Sequence, residues 1–447
     1  MKPSPFYFTI CQVGAEKALK EEMARIAPDL RFAFSRPGFV TFKKSEGEAD
    51  PQWSPSSYNF DTPRASIKIP RRQGRSEASD QAVFDHTVRE RAERERSMRG
   101  ISTMHQRSVF ARSWGVSLGR VGADIDSLLG LVRELDGTQE TGTNELSTGQ
   151  STKQQSTKQL STKQQSTRKL RLHVWERDIA IPGDEPLGYQ YNEEAKKLEA
   201  LLRARAPEVF SEGSVAQEGD LVFDVMVIER PQGEKPLELQ VGYHIHTSAH
   251  SPHPGGRAPL MLPEQSPSRA WYKLEEMVLW SKAPLRAGDI ALEVGSAPGG
   301  MSYAMLERGL SVIGIDPGQM AENVLSHPRY RHIAEPVNAV RRESLPESIQ
   351  WMLLDMNVKP DVSLFAVDRL VSRAGPDLMG VLLTVKLNDW KYAREIPHMI
   401  KHVEAMGLRD IRVGQLAYHR REIAIVGFTR KGLMRLGRRI AHDGGTS

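Results

Sequence analysis

The sequence predicts an α/β fold, and three observations in residues 256–430 support this prediction. Short apolar runs that would form strands alternate with segments of helical periodicity. The first of these strands ends at a glycine-rich turn, Gly295–Gly300, and the second ends in an acidic residue, Asp316. Strand, glycine turn, helix, strand and acid form half of a nucleotide-binding α/β domain, whose ligands lie at the carboxyl ends of the strands.

Seven strands are expected in this C-terminal region, with helices between most of them. Their predicted ranges are 289–294, 311–316, 331–335, 351–355, 380–386, 409–416 and 422–428. Strands that alternate with helices form mostly parallel sheets that are covered on both faces. We therefore expect a seven-stranded, mostly parallel sheet in residues 256–430.

Residues 1–255 are expected to form a smaller α/β region that two insertions interrupt. Its predicted elements are a strand at 6–13, a helix at 15–27 and strands at 39–42, 170–175, 221–228 and 239–246. The segment of about 44–106 is rich in Ser, Arg, Glu and Pro, which predicts a mostly disordered insertion. A second segment, about 137–169, contains the repeats STKQQ, STKQL, STKQQ and STRKL and is predicted to be a flexible low-complexity linker.

Composition limits the class of protein. A chain of 447 residues is expected to form two or three domains. The formal charge of +5 is compatible with a nucleic-acid partner but does not establish one. No apolar stretch reaches the roughly 18 residues of a membrane span, and the single cysteine, Cys11, excludes an internal disulfide framework. We expect a cytoplasmic protein that does not contact a membrane, and the sequence does not predict its oligomeric state.

The glycine turn predicts which nucleotide is bound. It reads Glu293-Val294-Gly295-Ser296-Ala297-Pro298-Gly299-Gly300, without the G-x-G-x-x-G of dinucleotide enzymes. The form E-x-G-x-x-P-G-G suits S-adenosylmethionine, whose amino-acid end lies along a bare glycine backbone. Asp316 would then bind the ribose hydroxyls. The alternative is a purely structural turn, since glycine turns also follow the first strand in other α/β proteins.

Four ionisable residues lie where a ligand crevice is expected. Lys273 lies in a predicted helix before the first strand, Asp355 and Lys386 end the fourth and fifth strands, and Glu422 begins the last. Each alone could equally be a solvated strand end, but two charges on neighbouring strands beside the turn favour the crevice. Together they suit methyl transfer to a hydroxyl. A lysine can take up the hydroxyl proton if burial and a second ammonium lower its pKa. The carboxylates would offset some of that lowering and would act chiefly by positioning the amine.

With these residues assembled, residues 256–430 resemble the FtsJ (RrmJ) family of RNA 2′-O-ribose methyltransferases. The family's Lys-Asp-Lys-Glu tetrad falls on Lys273, Asp355, Lys386 and Glu422, in the contexts SRAWYKLEE, DM, VKL and RREIAIV. The loop GSAPGG also resembles the family's glycine-proline loop. The resemblance implies a Rossmann-like class I methyltransferase domain that uses S-adenosylmethionine, with Lys386 as the proton acceptor.

The resemblance also implies a set of cofactor contacts. Ser268 and Ala297, Pro298, Gly299 and Gly300 would line the methionine end, Asp316 would bind the ribose, and Asp355 would lie near the transferred methyl group. Glu293 and Gly295 complete the predicted cofactor site. Where the family usually has an aspartate near adenine, this chain has Asn338, whose amide oxygen can still accept a hydrogen bond from the adenine amino group.

Further segments resemble those members of the family that carry a THUMP-containing N-terminal region and methylate a cytidine of 23S ribosomal RNA. These segments are VFARSWGV (109–116), SPSRAWYKLEE (266–276), DPGQM (316–320) and QLAYHRRE (415–422). The resemblance implies that residues 1–255 are a THUMP-like RNA-binding region. The implied partner is RNA, namely 23S rRNA or a precursor of the large ribosomal subunit.

Two basic segments are candidates for RNA contact. Tyr418, His419, Arg420 and Arg421 precede Glu422 and are expected to contact a splayed nucleotide by stacking and phosphate binding. Residues 431–447 form a basic C-terminal tail, which would either follow RNA backbone or simply be solvated.

Two other functions stay open: a catalytically silent RNA-binding protein on a methyltransferase scaffold, and a 2′-O-methyltransferase of another RNA. The first would be favoured by loss of a tetrad residue, and all four are present. No metal is expected. His244, His246, His250 and His253 resemble a metal cluster in composition, but acids or cysteines at ligand spacing are lacking, so a boundary loop is the favoured interpretation.

Overall fold

The structure of the chain, a computed structural model, describes residues 6–44, 108–136, 169–181, 193–229, 237–247 and 251–443. The predicted insertion of about 44–106 and the predicted linker of about 137–169 lie outside the described residues, except for Lys44 and Lys169.

The described residues form two seven-stranded sheets. The strands of the N-terminal sheet are β1 (Phe6–Ile10), β2 (Leu30–Arg36), β3 (Phe39–Lys44), β4 (Ser113–Gly122), β5 (Arg171–Glu176), β6 (Leu221–Glu229) and β7 (Glu238–Ile245). Those of the C-terminal sheet are β8 (Ile290–Val294), β9 (Ser311–Ile315), β10 (Tyr330–Ile333), β11 (Trp351–Leu354), β12 (Gly380–Lys386), β13 (Arg409–Gly414) and β14 (Glu422–Phe428). All seven strands predicted in the C-terminal region are present within two residues of their expected bounds.

The N-terminal sheet has the strand order β2-β3-β1-β4-β7-β6-β5. Its neighbours are antiparallel except β5 and β6, which are parallel and are connected through the helix Glu193–Arg205. The helices Glu16–Ile26 and Ile125–Asp136 complete the described elements of this region. The sequence analysis missed β2 and β4. β2 is an edge strand with only its first residue buried, and it begins two residues after Pro28, which follows the first helix.

The C-terminal sheet has the order β10-β9-β8-β11-β12-β14-β13. The pairs from β10 to β12 are parallel, whereas β14 runs antiparallel to both of its neighbours. The prediction of a mostly parallel seven-stranded sheet is therefore confirmed. The chain order reverses around β8, with β9 on one side and β11 on the other, so a crevice forms at the carboxyl ends of these strands.

Helices cover both faces of this sheet. They are Ala270–Ser281, Gly300–Glu307, Glu322–Leu325, Pro360–Val371, Ile396–Ala405 and Arg430–Asp443, with short 3-10 turns at Arg342–Ser344 and Trp390–Glu395. A further 3-10 turn, Pro254–Gly256, packs against β5 of the N-terminal sheet. Alternate strand residues belong to different apolar clusters: Leu292 packs on the side of Leu364, and Ala291 packs on the side of Leu274. This alternation explains why the strands read as continuous apolar runs.

The two sheets share one apolar cluster. Phe110, which precedes β4, is buried in the same cluster as residues of β8 and β11. Its ring meets the edge of the Trp390 ring at a centroid distance of 6.1 Å, and the neighbouring Val109 carbonyl accepts a hydrogen bond from Gln415 N at 2.7 Å. Within the described ranges, no helix is both long enough and apolar enough to cross a membrane.

Candidate active site

The glycine turn follows β8 directly and leads into the helix Gly300–Glu307. A side chain on Gly295 would place its Cβ 2.6 Å from the Asp355 carbonyl oxygen, and one on Gly300 would place it 2.2 Å from Ser268 Oγ. Gly299 has φ +116°, a left-handed backbone that glycine adopts without strain. The turn therefore lies as bare backbone between Ser268 and the end of β11, and this arrangement fits the predicted binding of a cofactor's amino-acid end.

Asp316 follows β9 and holds the same turn from the other side. Its carboxylate accepts hydrogen bonds from Ala297 N at 3.2 Å and from Gly318 N at 2.6 Å. Pro298, the residue after Ala297, is exposed. The predicted cofactor residues of β8, the turn and β9 thus lie together.

Two of the predicted cofactor residues lie in contrasting surroundings. Glu293 is buried at the end of β8, where Ser302 Oγ donates to its carboxylate. Burial, with smaller effects of Asp355 and Asp316, raises the pKa of Glu293 to about 8. Asn338 is exposed on the segment after β10, and its backbone carbonyl accepts a hydrogen bond from Arg369 at 3.0 Å.

The four residues of the proposed tetrad meet at one point. Lys273 Nζ donates to both oxygens of Asp355, at 3.1 and 3.0 Å, and to Glu422 Oε2 at 3.1 Å. Lys386 Nζ lies 3.0 Å from Asp355 Oδ1 and also donates to Glu422 Oε2. Each ammonium therefore contacts both carboxylates, and the side chains are between 3% and 16% exposed, so little water intervenes.

Strand register explains this meeting. Lys386, the last residue of β12, is directly opposite Glu422, the first residue of the antiparallel β14. Asp355 follows β11, the parallel neighbour of β12 on its other side, and Lys273 reaches them from the helix Ala270–Ser281. Chain segments that are far apart in sequence thus deliver two positive and two negative charges to one edge of the sheet.

The charge state of Lys386 differs from the sequence-based expectation. Burial lowers the pKa of Lys386, as expected, but the opposing effects of Asp355 and Glu422 are together larger, so the pKa is raised above its ordinary value. Burial opposes ionisation of Glu422 as well, yet Lys273, His419 and Lys386 hold its pKa at about 2. The expectation of a lowered lysine pKa was wrong for this arrangement, because each ammonium contacts two carboxylates.

The four residues before Glu422, predicted to contact RNA, do not all reach the surface. Tyr418 is 7% exposed and stacks on Tyr272 with a centroid distance of 4.4 Å, while its hydroxyl donates to the Ala258 carbonyl at 2.7 Å. His419 is fully buried. Neither ring is accessible to a nucleotide, so this part of the prediction was wrong, whereas Arg420 and Arg421 are exposed.

Sequence reasoning missed Glu276, and it assigned His419 to nucleotide contact rather than to the surroundings of the proposed tetrad. Glu276 accepts hydrogen bonds from Ala417 N and Tyr418 N, both at 2.9 Å, and so fixes the segment that leads to Glu422. His419 acts electrostatically on Glu422, and burial lowers the pKa of its own imidazole to about 4. Glu276 stands neither at a strand end nor in a glycine turn, so no local signal marked it.

Comparison with known proteins supports the identity of this fold. Residues 267–388 match the family described as FtsJ-like methyltransferase. The ribosomal RNA large subunit methyltransferase M of Colwellia psychrerythraea is 33% identical over 130 residues, which are 28% of this chain and 34% of that protein. The protein of the same name from Alkalilimnicola ehrlichii is 31% identical over 185 residues, which are 40% of this chain and 50% of that protein.

A longer match is found in Pasteurella multocida, where the methyltransferase M is 26% identical over 54% of this chain and 68% of its own length. The chain thus spans a third to a half of the first two relatives and about two thirds of the third. Among solved structures, TrmN from Thermus thermophilus is 13% identical, with a TM-score of 0.28 over 95% of this chain and 99% of its own. A TM-score this low carries no further conclusion.

The FtsJ-like match begins one residue before Ser268 and ends two residues after Lys386, so it encloses the glycine turn, Asp316 and three residues of the tetrad. S-adenosylmethionine is the methyl donor of domains of this kind, and the glycine turn and Asp316 provide a site that fits it. Residues 267–388 therefore carry the features of an FtsJ-like methyltransferase domain.

Proposed function

We propose that the protein is an S-adenosylmethionine-dependent RNA 2′-O-ribose methyltransferase that acts in the cytoplasm on a cytidine of 23S ribosomal RNA. The observation that carries the proposal is the mutual contact of Lys273, Asp355, Lys386 and Glu422 beside the glycine turn. The relatives named ribosomal RNA large subunit methyltransferase M support RNA as the substrate. That RNA would be bound by residues 1–255, as a THUMP-like region, and by the exposed Arg420 and Arg421.

In this proposal the four residues of the tetrad remove the proton of the ribose 2′-hydroxyl. When bound, S-adenosylmethionine supplies an electrophilic methyl group on a sulfonium centre. Lys386 Nζ, as the free amine, would take the proton of the 2′-hydroxyl while the hydroxyl oxygen attacks that methyl group. The nearby ammonium of Lys273 disfavours a positive charge on Lys386 and so favours the free amine. Asp355 and Glu422 orient both amines. This orientation matters because in-line attack requires the reacting atoms to be close together and aligned.

The two carboxylates impose a requirement on this mechanism. They hold Lys386 protonated in the arrangement described here, so the ammonium must lose its proton before it can act as a base. Arginine provides a test of this role, because it keeps the positive charge but does not give up its proton in a protein. Lys386→Arg therefore separates the role of base from the role of ion-pair partner.

The experiment measures cofactor binding and methyl transfer to RNA with purified protein. Lys386→Ala and Lys386→Arg are expected to bind S-adenosylmethionine within about threefold of wild type and to lower transfer by at least about 100-fold, the usual contribution of a general base. Lys401→Ala, which removes an exposed lysine from the helix Ile396–Ala405, is the matched control and should change neither quantity. Wild-type transfer rates in Lys386→Arg would refute the assignment of the base.

Ribose-methylation mapping of ribosomal RNA identifies the substrate. Cells that lack this protein should lose one 2′-O-methyl mark on a cytidine of 23S rRNA. Wild-type protein and Lys401→Ala should restore that mark, whereas Lys386→Ala should not. An unchanged map would refute rRNA as the substrate. Restoration by Lys386→Ala would favour the catalytically silent alternative.

A further inference from the structure

A second cluster of ionisable residues lies in the N-terminal sheet, outside the crevice of the methyltransferase domain. His173 is on β5, directly opposite Asp224 on the neighbouring β6. His244 is on β7, opposite Val222, two residues before Asp224. Because residues two apart on a strand point to the same face, all three side chains lie on one face of the sheet.

The distances within this cluster suit a shared ion. His244 Nδ1 lies 2.6 Å from Asp224 Oδ2, and His173 Nδ1 lies 3.7 Å from the other carboxylate oxygen, Asp224 Oδ1. One potential ligand atom from each of the three residues lies within 4.8 Å of the others. A tetrahedral zinc ion with nitrogen and oxygen ligands at about 2.0–2.2 Å keeps its ligand atoms roughly 3.4 Å apart. Small side-chain movements would therefore bring these atoms to coordination distance.

Burial leaves two polar atoms of the cluster unsatisfied. The three side chains are between 1% and 3% exposed. Within the described part of the chain, His173 Nε2 and Asp224 Oδ1 have no hydrogen-bond partner. An unpaired polar atom in the interior is costly, and native proteins rarely leave one without a bound water, ion or protein partner. Each of these two atoms is therefore able to take a water molecule or an ion as its partner.

The chemistry of the donor set indicates the class of ion. Two imidazoles and one carboxyl group form a nitrogen-rich set of ligands, which suits zinc and related transition metals better than calcium or magnesium.

The surroundings of the cluster could complete such a site. His246 and His253 both act electrostatically on His173 and so provide further imidazoles nearby. His253 lies on the segment that leads into the methyltransferase domain. Gly255, two residues later, packs against the Trp175 ring of β5. An ion held here would join β5, β6 and β7, and with His253 as a ligand it would also fix the segment between the two regions.

We propose that His173, Asp224 and His244 bind one divalent transition-metal ion of the zinc class, as a structural site in the N-terminal region. The proposal goes beyond the methyltransferase function and does not depend on it. The sequence-based expectation of no metal considered only histidines that are close together in the chain. Asp224 and His173 come from other strands, so the missing acid was present but not recognisable.

The first experiment measures metal content and stability of the full-length protein. After dialysis, wild-type protein should retain about one equivalent of zinc. Protein stripped with a chelator should show a melting temperature higher by at least about 5 °C when excess Zn²⁺ is added back. Addition of Co²⁺ instead should produce the visible absorption of a cobalt ion coordinated by protein ligands.

Variants test whether the cluster holds the metal. Asp224→Asn removes the carboxylate while keeping size and a hydrogen-bond acceptor, and it should lose zinc retention and the zinc-dependent rise in melting temperature. His398→Gln, which removes an exposed histidine, should behave as wild type. If Asp224→Asn does not fold, His244→Gln replaces it. If neither variant folds, the cobalt spectrum of the wild-type protein shows whether protein ligands bind the metal.

The opposing outcome is a cluster that is only a buried hydrogen-bonded network. Wild-type protein with less than about a tenth of an equivalent of any transition metal, no stabilisation by Zn²⁺ and no cobalt spectrum would refute the proposal. Equal zinc responses in wild type and in a folded Asp224→Asn or His244→Gln variant would refute it as well, because the metal would then be bound elsewhere.

Discussion

Glu293 differs from an ordinary surface glutamate because the fold removes it from water. It ends β8 beside the cofactor turn, and burial there raises its pKa to about 8, with Asp355 and Asp316 acting in the same direction. Lys386, some distance along the chain, has a raised pKa for the opposite reason, since carboxylates surround it. At the scale of single residues, charge state follows the neighbours that the fold supplies.

The raised pKa of Glu293 predicts a specific dependence of stability on pH. Between about pH 4.3, the usual value for glutamic acid, and pH 8, the unfolded chain has released this proton while the folded chain retains it. The contribution of Glu293 to stability therefore falls as pH rises through this window, by at most about 1.4 kcal/mol per unit, and levels off above pH 8.

Glu293→Gln has no proton to release, so its stability should fall less steeply than that of wild type across the window. The measurement is the free energy of unfolding at several pH values, without cofactor. Glu404→Gln, at an exposed helix position, is the control and should keep the wild-type slope. Parallel curves for wild type and Glu293→Gln would show that Glu293 is already ionised in the folded protein.

At the scale of elements, the antiparallel strand β14 organises the proposed active site. It lies between β12 and β13, and this position places Glu422 opposite Lys386. The segment that enters β14 is held by Glu276, whose carboxylate accepts two backbone hydrogen bonds. The helix Ala270–Ser281 thus supplies both a tetrad member, Lys273, and the residue that fixes the start of the strand carrying another.

Glu276→Gln tests this connection. An amide has only one acceptor oxygen, so one of the two backbone N–H groups is left unpaired in the interior. We expect a loss of about 1–3 kcal/mol in the free energy of unfolding, together with slower methyl transfer, because the segment leading to Glu422 becomes less well fixed. Denaturant titration and a transfer assay measure the two effects. Glu264→Gln, an exposed position, should alter neither, and an unaffected Glu276→Gln variant would contradict this role.

At the scale of the whole molecule, the two sheets are joined by a small buried contact. The carboxylate of Glu22 accepts hydrogen bonds from Val109 N at 2.8 Å and from Phe110 N at 3.3 Å. This fixes the segment whose Phe110 ring packs beside Trp390 and whose Val109 carbonyl binds Gln415. The N-terminal region thereby contacts the chain shortly before Glu422.

Phe110→Ala is expected to destabilise the protein by about 3–5 kcal/mol, the usual cost of removing a buried phenylalanine ring. Thermal unfolding followed by circular dichroism would show a lower melting temperature. Phe365→Ala removes the same ring from a position that is 68% exposed, so it should have little effect. Similar melting temperatures for the two variants would mean that the contact between the sheets contributes little to stability.

The sequence alone predicted the order of the strands along the C-terminal region, the glycine turn after the first of them, and the four charged residues that the fold brings into contact. These features are local: apolar periodicity marks a strand, glycines mark a turn, and a charge at a strand end is visible in a few residues. The same reasoning failed for β2, which lies at a mostly exposed sheet edge.

Only the tertiary structure decided where β14 lies in the sheet, that the pKa of Lys386 is raised, that Tyr418 is buried, and that His173, Asp224 and His244 meet. Each of these depends on distances between residues that are remote in sequence. Burial and electrostatic interaction act through space, so a linear pattern can identify the ionisable groups, but the fold determines their neighbours and thereby their charge.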